Sequence, residues 1–313
     1  MVSLRIPGGP PLHPEGITDA ALQEAIEFLS RSNPFALHTW SWETGRFIDW
    51  RWAGNAAWAP GPEWFTEHGT LFRSPDGPVQ AVAIAEHGED DACILTPSED
   101  PATVSAILEW LASRHHARGD ALTFEIAETA GWLHEVCASA GMVAGAPSGY
   151  QWEFDLSDVP DRPVPGGFVI RPMCDPADAP GITACLAAAF GGSGGRSLAL
   201  QAADGNPWYR PDLNFVVEAH DGRIAAYCRG TFDPRNRLGG IHPVCTHPDF
   251  SRLGLGAAIV TACFEAQRRL GGDRSYIGSQ PDPAPGARLY RSLGPTGRRV
   301  FATWTLPAPG PAG

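Results

Sequence analysis

Lysine is missing from this chain of 313 residues; all 23 basic side chains are arginine. With 36 glycines and 30 prolines, that points to codons from a high-GC bacterial genome. Long apolar runs are missing too. None reaches the roughly 18 residues that a membrane span needs, so no membrane partner is expected. The opening MVSLRIPGGPPLHPEG has no apolar core of a secretory signal, and a cytoplasmic protein is expected. The seven cysteines form no C-x-x-C pair. That excludes the usual zinc spacings and suits reduced, mostly buried thiols, so no metal is expected. Positive charge is scarce as well. A net charge of −12 gives no concentrated basic face, and nucleic acid is excluded as a partner.

The length suits two domains of about 150 residues each. Residues 1–155 hold 7 Arg against 22 Asp and Glu, a balance of −15, whereas residues 156–313 hold 16 Arg against 13, a balance of +3. Such a pairing suits a site that takes an anionic ligand from one side and a cationic one from the other. Between the halves, residues 156–167 carry three prolines and a Gly pair, which continue neither a helix nor a central strand. The expected organisation is a domain over 1–155, a linker over 156–167, a second domain over 168–306 and a tail over 307–313. Turn chemistry and apolar periodicity predict the same order of elements twice. In the second half, helix 178–190 precedes a hairpin of strands 214–219 and 223–230 around Asp221-Gly222. Strand 238–245, helix 254–270, strand 275–279, helix 284–292 and strand 300–305 follow. In the first half, helix 18–30 precedes a hairpin of strands 69–72 and 79–86 around Asp76-Gly77. Strand 92–95, helix 101–115, strand 121–126, helix 132–140 and strand 151–154 follow. Gly119 to Gly141 and Gly272 to Gly294 both span 22 residues. A duplicated mixed α/β domain is expected, each copy a mixed sheet with a hairpin feeding a strand–helix–strand unit.

The stretch PVCTHPDFSRLGLGAA, residues 243–258, runs from strand through a bare turn into a helix. Such a turn makes a cup of backbone N–H groups with the positive end of the helix dipole behind it, and it binds phosphate. Gly254 and Gly256 allow close approach, and Arg252 adds charge at the rim. A lone G-x-G is also common in ordinary loops. The order of residues around it resembles the acyl-CoA pyrophosphate loop of the GNAT superfamily of N-acetyltransferases, Gln/Arg-x-x-Gly-x-Gly/Ala on a strand-to-helix turn. Ser251 stands at the Gln/Arg position, with Arg252 beside it. Ala287-Arg-Leu-Tyr-Arg-Ser-Leu-Gly294 resembles a second segment of that superfamily, with Pro295 in place of its usual Phe. The resemblance covers residues 168–305, and the tandem arrangement resembles that of mycothiol synthase and related bacterial double-GNAT proteins. It implies two GNAT-like domains and a sheet whose fourth and fifth strands splay apart to admit the pantetheine arm of acetyl-CoA. Val244, Cys245 and Thr246 would bind that arm, and Ser251, Arg252, Leu253, Gly254, Leu255, Gly256 and Ala257 the diphosphate.

Acetyl transfer requires a neutral amine, donors for the developing oxyanion and a proton for the leaving thiolate. Tyr290 matches the family's tyrosine beside the CoA sulfur, the candidate general acid; otherwise it is a core tyrosine. His242 lies on the fourth strand, where relatives often carry a glutamate as base. A histidine pKa suits that task, and a pocket-wall residue is the alternative reading. Glu218 and Asp233, near strand ends, and Trp208 and Tyr209, in a segment where family members vary, are candidates for the acceptor site. His247 reads as a loop residue.

The first half lacks this equipment. Its corresponding turn has no glycine and carries Glu99 and Asp100 where phosphate would bind. An acidic pair at a helix start satisfies the dipole internally and repels a diphosphate. Ala92 takes the register of His242, and Cys137 that of Tyr290, so this half is expected to be a degenerate copy. Trp40, Trp42, Trp50, Trp52, Trp58 and Trp64 are concentrated there. Pairs two apart share a strand face, as an aromatic wall for a cationic acceptor or as core packing. The expected activity is acetyl-CoA-dependent acylation of a primary amine of a small molecule by a monomer or homodimer. A non-enzymatic acyl-CoA-binding or sensing protein is the alternative.

Overall fold

The apolar runs of the second half become strands covered on both faces, which is why they read as nearly continuous hydrophobic segments. A computed structural model describes residues 3–32, 44–53, 62–75, 77–85, 93–95, 100–173, 176–191 and 209–309. The chain forms two compact units, and they are not sequential blocks. One comprises Met1–Glu43, Trp58–Gly149 and Arg299–Gly313; the other comprises Thr44–Ala57 and Tyr150–Arg298.

In the first unit, β1 (His13–Gly16), β2 (Gly69–Arg73), β3 (Val79–Ile84) and β4 (Cys93–Leu95) form an antiparallel sheet in that order. Arg73 of β2 bridges Glu15 of β1 and Glu24 of α1 (Leu22–Arg31). α3 (Pro62–His68) leads into β2, and Trp64 stacks on His68 within it at 4.3 Å. β5 (Leu122–Ala127) pairs antiparallel with the chain's last strand, residues Gly297–Leu306, from Ala127↔Phe301 to Leu122↔Leu306. The long helix α4 (Pro101–Arg118) and α5 (Gly131–Ser139) bury Ile107, Leu108 and Leu133 against Phe72, Leu122 and Phe301.

The second unit's sheet begins with part of a strand from the first half of the sequence. Tyr150–Asp155, the end of β6 (Val143–Asp155), pairs antiparallel with β11 (Arg274–Ser279). β11 runs parallel to β10 (Leu238–Thr246), followed across the sheet by antiparallel β9 (Ile224–Asp233), β8 (Asn214–Ala219) and β7 (Phe168–Pro172). The last strand, named above, is β12. Alternation sends successive side chains to opposite faces. Val216, Tyr227 and Cys245 pack with Ile182 and Cys185 of α6 (Ala179–Phe190). Phe215, Val217, Cys228 and Ile241 pack with Ile259, Cys263 and Phe264 of α7 (Leu255–Arg269), and with Ala287 and Tyr290 of α8 (Pro285–Arg291).

One element departs from expectation. Residues 44–53 form a helix, α2 (Thr44–Ala53), so Trp50 and Trp52 do not share a strand face. Trp50 is buried and packs on Phe47 at 5.8 Å. Trp40, Trp42 and Trp58 lie outside the described residues.

Candidate active site

The site begins with a fault in the sheet. β9 and β10 pair in register up to Gly230↔Ile241 and resume at Cys228↔Val244, so Arg229 alone faces His242 and Pro243. This is a β-bulge, two residues opposite one, and proline is tolerated there because the ladder asks nothing of its nitrogen. The extra residue puts Ile241 and Val244, three apart, on the same face. The parallel pairing of β10 with β11 ends at the same place, at Ile241↔Ile277. Beyond it β11 continues beside β6, and β10 runs on with only β9 as a ladder partner among the described residues.

Alternation decides which backbone groups face the opening. The His247 amide donates to Ala225 O at 2.9 Å, so His247, and Cys245 two residues earlier, turn their backbone toward β9. Val244 and Thr246 turn theirs toward the gap. Cys245 contributes its side chain elsewhere: its buried Sγ lies 3.6 Å from Cys185 Sγ.

The turn after β10 has a rigid stem and a bare tip. Phe250 is buried, and the Arg223 guanidinium covers its ring at 4.5 Å while holding Asp249 at 2.9 Å. The His247 ring accepts from the Asp249 amide at 3.2 Å. Ser251, Arg252, Leu253 and Gly254 are exposed. Arg252 at φ 63° and Gly254 at φ 84° both take left-handed backbone, which an arginine adopts only under strain. No side chain caps α7. The Ala257 and Ala258 amides reach Gly254 O at 3.1 Å, but those of Arg252 to Gly256 donate to no acceptor among the described residues. A β-carbon on Gly256 would come within 3.2 Å of Leu289 Cδ2 and 3.4 Å of Thr246 Oγ1, so a larger side chain there would crowd this floor. Five successive donors at a positive helix end fit a diphosphate, and the adjoining gap fits an extended arm.

α4 of the first unit presents the opposite case. Its N-terminus is closed by Asp100, whose carboxylate accepts from the Ala102 and Thr103 amides at 3.1 and 3.3 Å and from Thr103 Oγ1 at 2.6 Å. Glu99 and Ala92 lie outside the described residues. Cys137 is buried in α5, and burial pushes its thiol up to about 12.

Tyr290 projects from α8 beside the end of β11. A β-carbon on Gly286 would touch both Tyr290 Cε2 and Ser279 Cβ at 3.5 Å. The tyrosine is 5% exposed, and burial drives its phenol well above the ordinary range, with the Cys228 and Cys245 thiols adding to the shift. It therefore holds its proton throughout the neutral range. His242 is exposed on the bulge.

The residues expected to meet the acceptor scatter. Glu218 is on β8, two strands from β10, and accepts from Arg171 Nε at 2.9 Å; the same guanidinium forks onto Asp178 with two bonds of 2.7 Å. Asp233 is 2% exposed and occupied by structure: it accepts from the Arg235 amide at 2.9 Å, Asn236 Nδ2 at 2.6 Å and Thr44 Oγ1 of α2 at 3.3 Å. Tyr209 donates to Met173 Sδ at 3.7 Å. Trp208 lies outside the described residues. Two residues were not foreseen. Arg229 is 3% exposed and donates from Nε to His242 O at 3.1 Å. Gln267 of α7, fully buried, donates to Gly240 O at 2.9 Å and Thr231 O at 3.2 Å, tying the helix to both strands. Arg229 follows the apolar run Ile224–Cys228, and that is the sequence signal that marks it; Gln267, among Glu265, Arg268 and Arg269, has none.

Comparison with known proteins agrees with this geometry. Residues 190–294 match the acetyltransferase (GNAT) family. Over 269 residues the chain is 29% identical to the mycothiol acetyltransferase of Kineococcus radiotolerans, covering 77% of this chain and 86% of that protein. A GCN5-related N-acetyltransferase from Sphaerobacter thermophilus shares the fold with a TM-score of 0.62 at 16% identity, over 96% of each chain. A tandem GNAT protein from the clavulanic acid biosynthesis pathway does so with a TM-score of 0.60 at 14% identity, over 96% of this chain and all of that one. The fold is the one these solved structures share, and the segment that builds the site lies within the residues that match the acetyltransferase (GNAT) family. Among the described residues no helix is long and apolar enough to cross a membrane.

Proposed function

We propose that this chain transfers the acetyl group of acetyl-CoA to a primary amine of a small molecule. The observation that carries the reading is the run of five unengaged amides, Arg252 to Gly256, at the uncapped start of α7, where β10 has parted from β11. These amides would hold the diphosphate, with the Arg252 guanidinium at the rim, and the backbone of Val244 and Thr246 would take the pantetheine arm. Bound acetyl-CoA supplies the acyl group. Tyr290, kept protonated by burial, is the candidate to give its proton to the departing thiolate. His242, exposed at the bulge, is the candidate to take the proton from the amine, directly or through water.

The acceptor is proposed to be cationic. Residues 1–155 carry a net −15, and a field of that sign raises the local concentration of positive ligands. The first unit is read as a degenerate copy, because Asp100 occupies the helix end that would otherwise take a diphosphate. Five described cysteines are buried free thiols, which suits a reducing cytoplasm. Thiol release from acetyl-CoA in the presence of an amine panel tests the whole reading. Turnover should favour polyamines and weaken with salt. Tight CoA binding without turnover on any amine would reject catalysis, and salt-independent rates favouring anionic amines would reject the cationic acceptor.

A further inference from the structure

We propose that Arg229 is a positioning residue for acyl transfer, holding open the bulge that directs β10 away from β11; this rests on the acyltransferase reading above. The register leaves Arg229 facing both residues of the bulge, His242 and Pro243. A bulge deprives its strand of ladder partners, so the His242 carbonyl needs a donor from elsewhere. Arg229 supplies it, with Nε 3.1 Å from His242 O. The arginine is 3% exposed, in a strand otherwise of the kind Ile-Ala-Ala-Tyr-Cys. Burying a guanidinium is costly, so a purely packing role would be served better by an apolar side chain. A charge-assisted bond to a carbonyl at the point where two strands diverge is a local determinant of that divergence.

Three consequences hang on that one bond. It fixes the peptide between His242 and Pro243, and so the direction in which the His242 side chain leaves the strand. It sets the register in which Val244, rather than Cys245, turns its backbone to the gap. It also stops β10 from re-pairing with β11 beyond Ile277. Arg229 lies on β9, on the far side of β10 from the gap, so it acts through β10 and not on the substrates.

The test compares wild type, Arg229→Met and Arg229→Lys in the full chain. The readouts are hydrogen exchange of a peptide spanning residues 238–247, CoA affinity by calorimetry, and steady-state kinetics with acetyl-CoA and an accepted amine. Loss of the donor in Arg229→Met should speed exchange in that peptide and leave α7 unchanged. It should lower kcat by about tenfold or more and weaken CoA binding as well, because the gap that takes the arm depends on the same bond. Arg229→Lys keeps a charged donor and should recover most of kcat. A folded Arg229→Met variant with exchange and kcat within about twofold of wild type would overturn the proposal, since packing alone predicts that result. Should Arg229→Met not fold, Arg229→Lys decides: near-wild-type exchange and kcat support the role, and a tenfold loss of kcat overturns it. A wild type that turns over no amine would defeat the acyltransferase reading alone, because the exchange measurement still reports on the bulge.

Discussion

Replacing Gly254 by alanine puts the proposed cradle to a quantitative test. Gly254 has φ 84°, and no heavy atom lies within 4 Å of where its β-carbon would be. Sterics with neighbours therefore cost nothing, and the whole penalty is the left-handed backbone, about 1–2 kcal/mol for an L-residue. Ser251 to Gly254 are exposed, so little packing opposes relaxation toward negative φ. Relaxation rotates the adjoining peptides and removes at least one of the five amides from the cup. A hydrogen bond to a charged group is worth about 1.5–3 kcal/mol, so the dissociation constant for CoA should rise by about 10- to 150-fold. Calorimetric titration with CoA reads this directly. Gly119→Ala is the control: Gly119 also has φ 83° with no atom within 4 Å, but it ends α4 in the first unit. It should lose comparable stability without changing CoA affinity. A folded Gly254→Ala protein that binds CoA within twofold of wild type would refute the cradle.

Tyr290→Phe should lower kcat by about 10²–10⁴-fold if the phenol is the general acid, and it should not lower stability, because that hydroxyl has no hydrogen-bond partner among the described residues; rate and urea midpoint on the same preparation check both. Glu218→Gln should leave kcat/KM for the amine within about threefold, since the carboxylate answers Arg171 in a partly exposed pair of small energetic weight; a larger loss would put it at the acceptor. Cys137 stays protonated in the fold up to about 12, whereas an unfolded thiol ionises near 9. The unfolded state thus binds fewer protons across that window, and the site's contribution falls there by at most about 1.4 kcal/mol per pH unit. Cys137→Ala should flatten the alkaline loss of stability, followed by denaturation between pH 9 and 11.

The second unit's elements were legible to within a few residues because each carries its own punctuation. Asp221-Gly222 made the hairpin, and the predicted strand 238–245 and helix 254–270 appear as Leu238–Thr246 and Leu255–Arg269. The bare turn ahead of α7 was legible for the same reason, since glycines at an uncapped helix start are local chemistry. α2 was not. Its Trp50 and Trp52 invited a period-two reading, while the burial of Phe47, Ile48 and Trp50 reflects docking on β9 and β10, which no local pattern announces. The interleaving of the units was invisible for the same kind of reason. The pairings of Tyr276 with Glu153 and of Thr303 with Glu125 join residues far apart in sequence. Asp233 and Glu218 were read as acceptor candidates because a carboxylate at a strand end looks alike whether it awaits a ligand or serves a neighbour; in the structure both have protein partners.

The crossed ownership of β6 and β12 bears on how the polypeptide is made. β5 cannot find its partner until residues as late as Leu306 have left the ribosome. With roughly 180 residues between them and translation at about 5–20 residues per second, that edge waits on the order of 10–40 s. The edge of β5 stays unpaired during the delay, a window in which a nascent chain is open to mispairing and to chaperones.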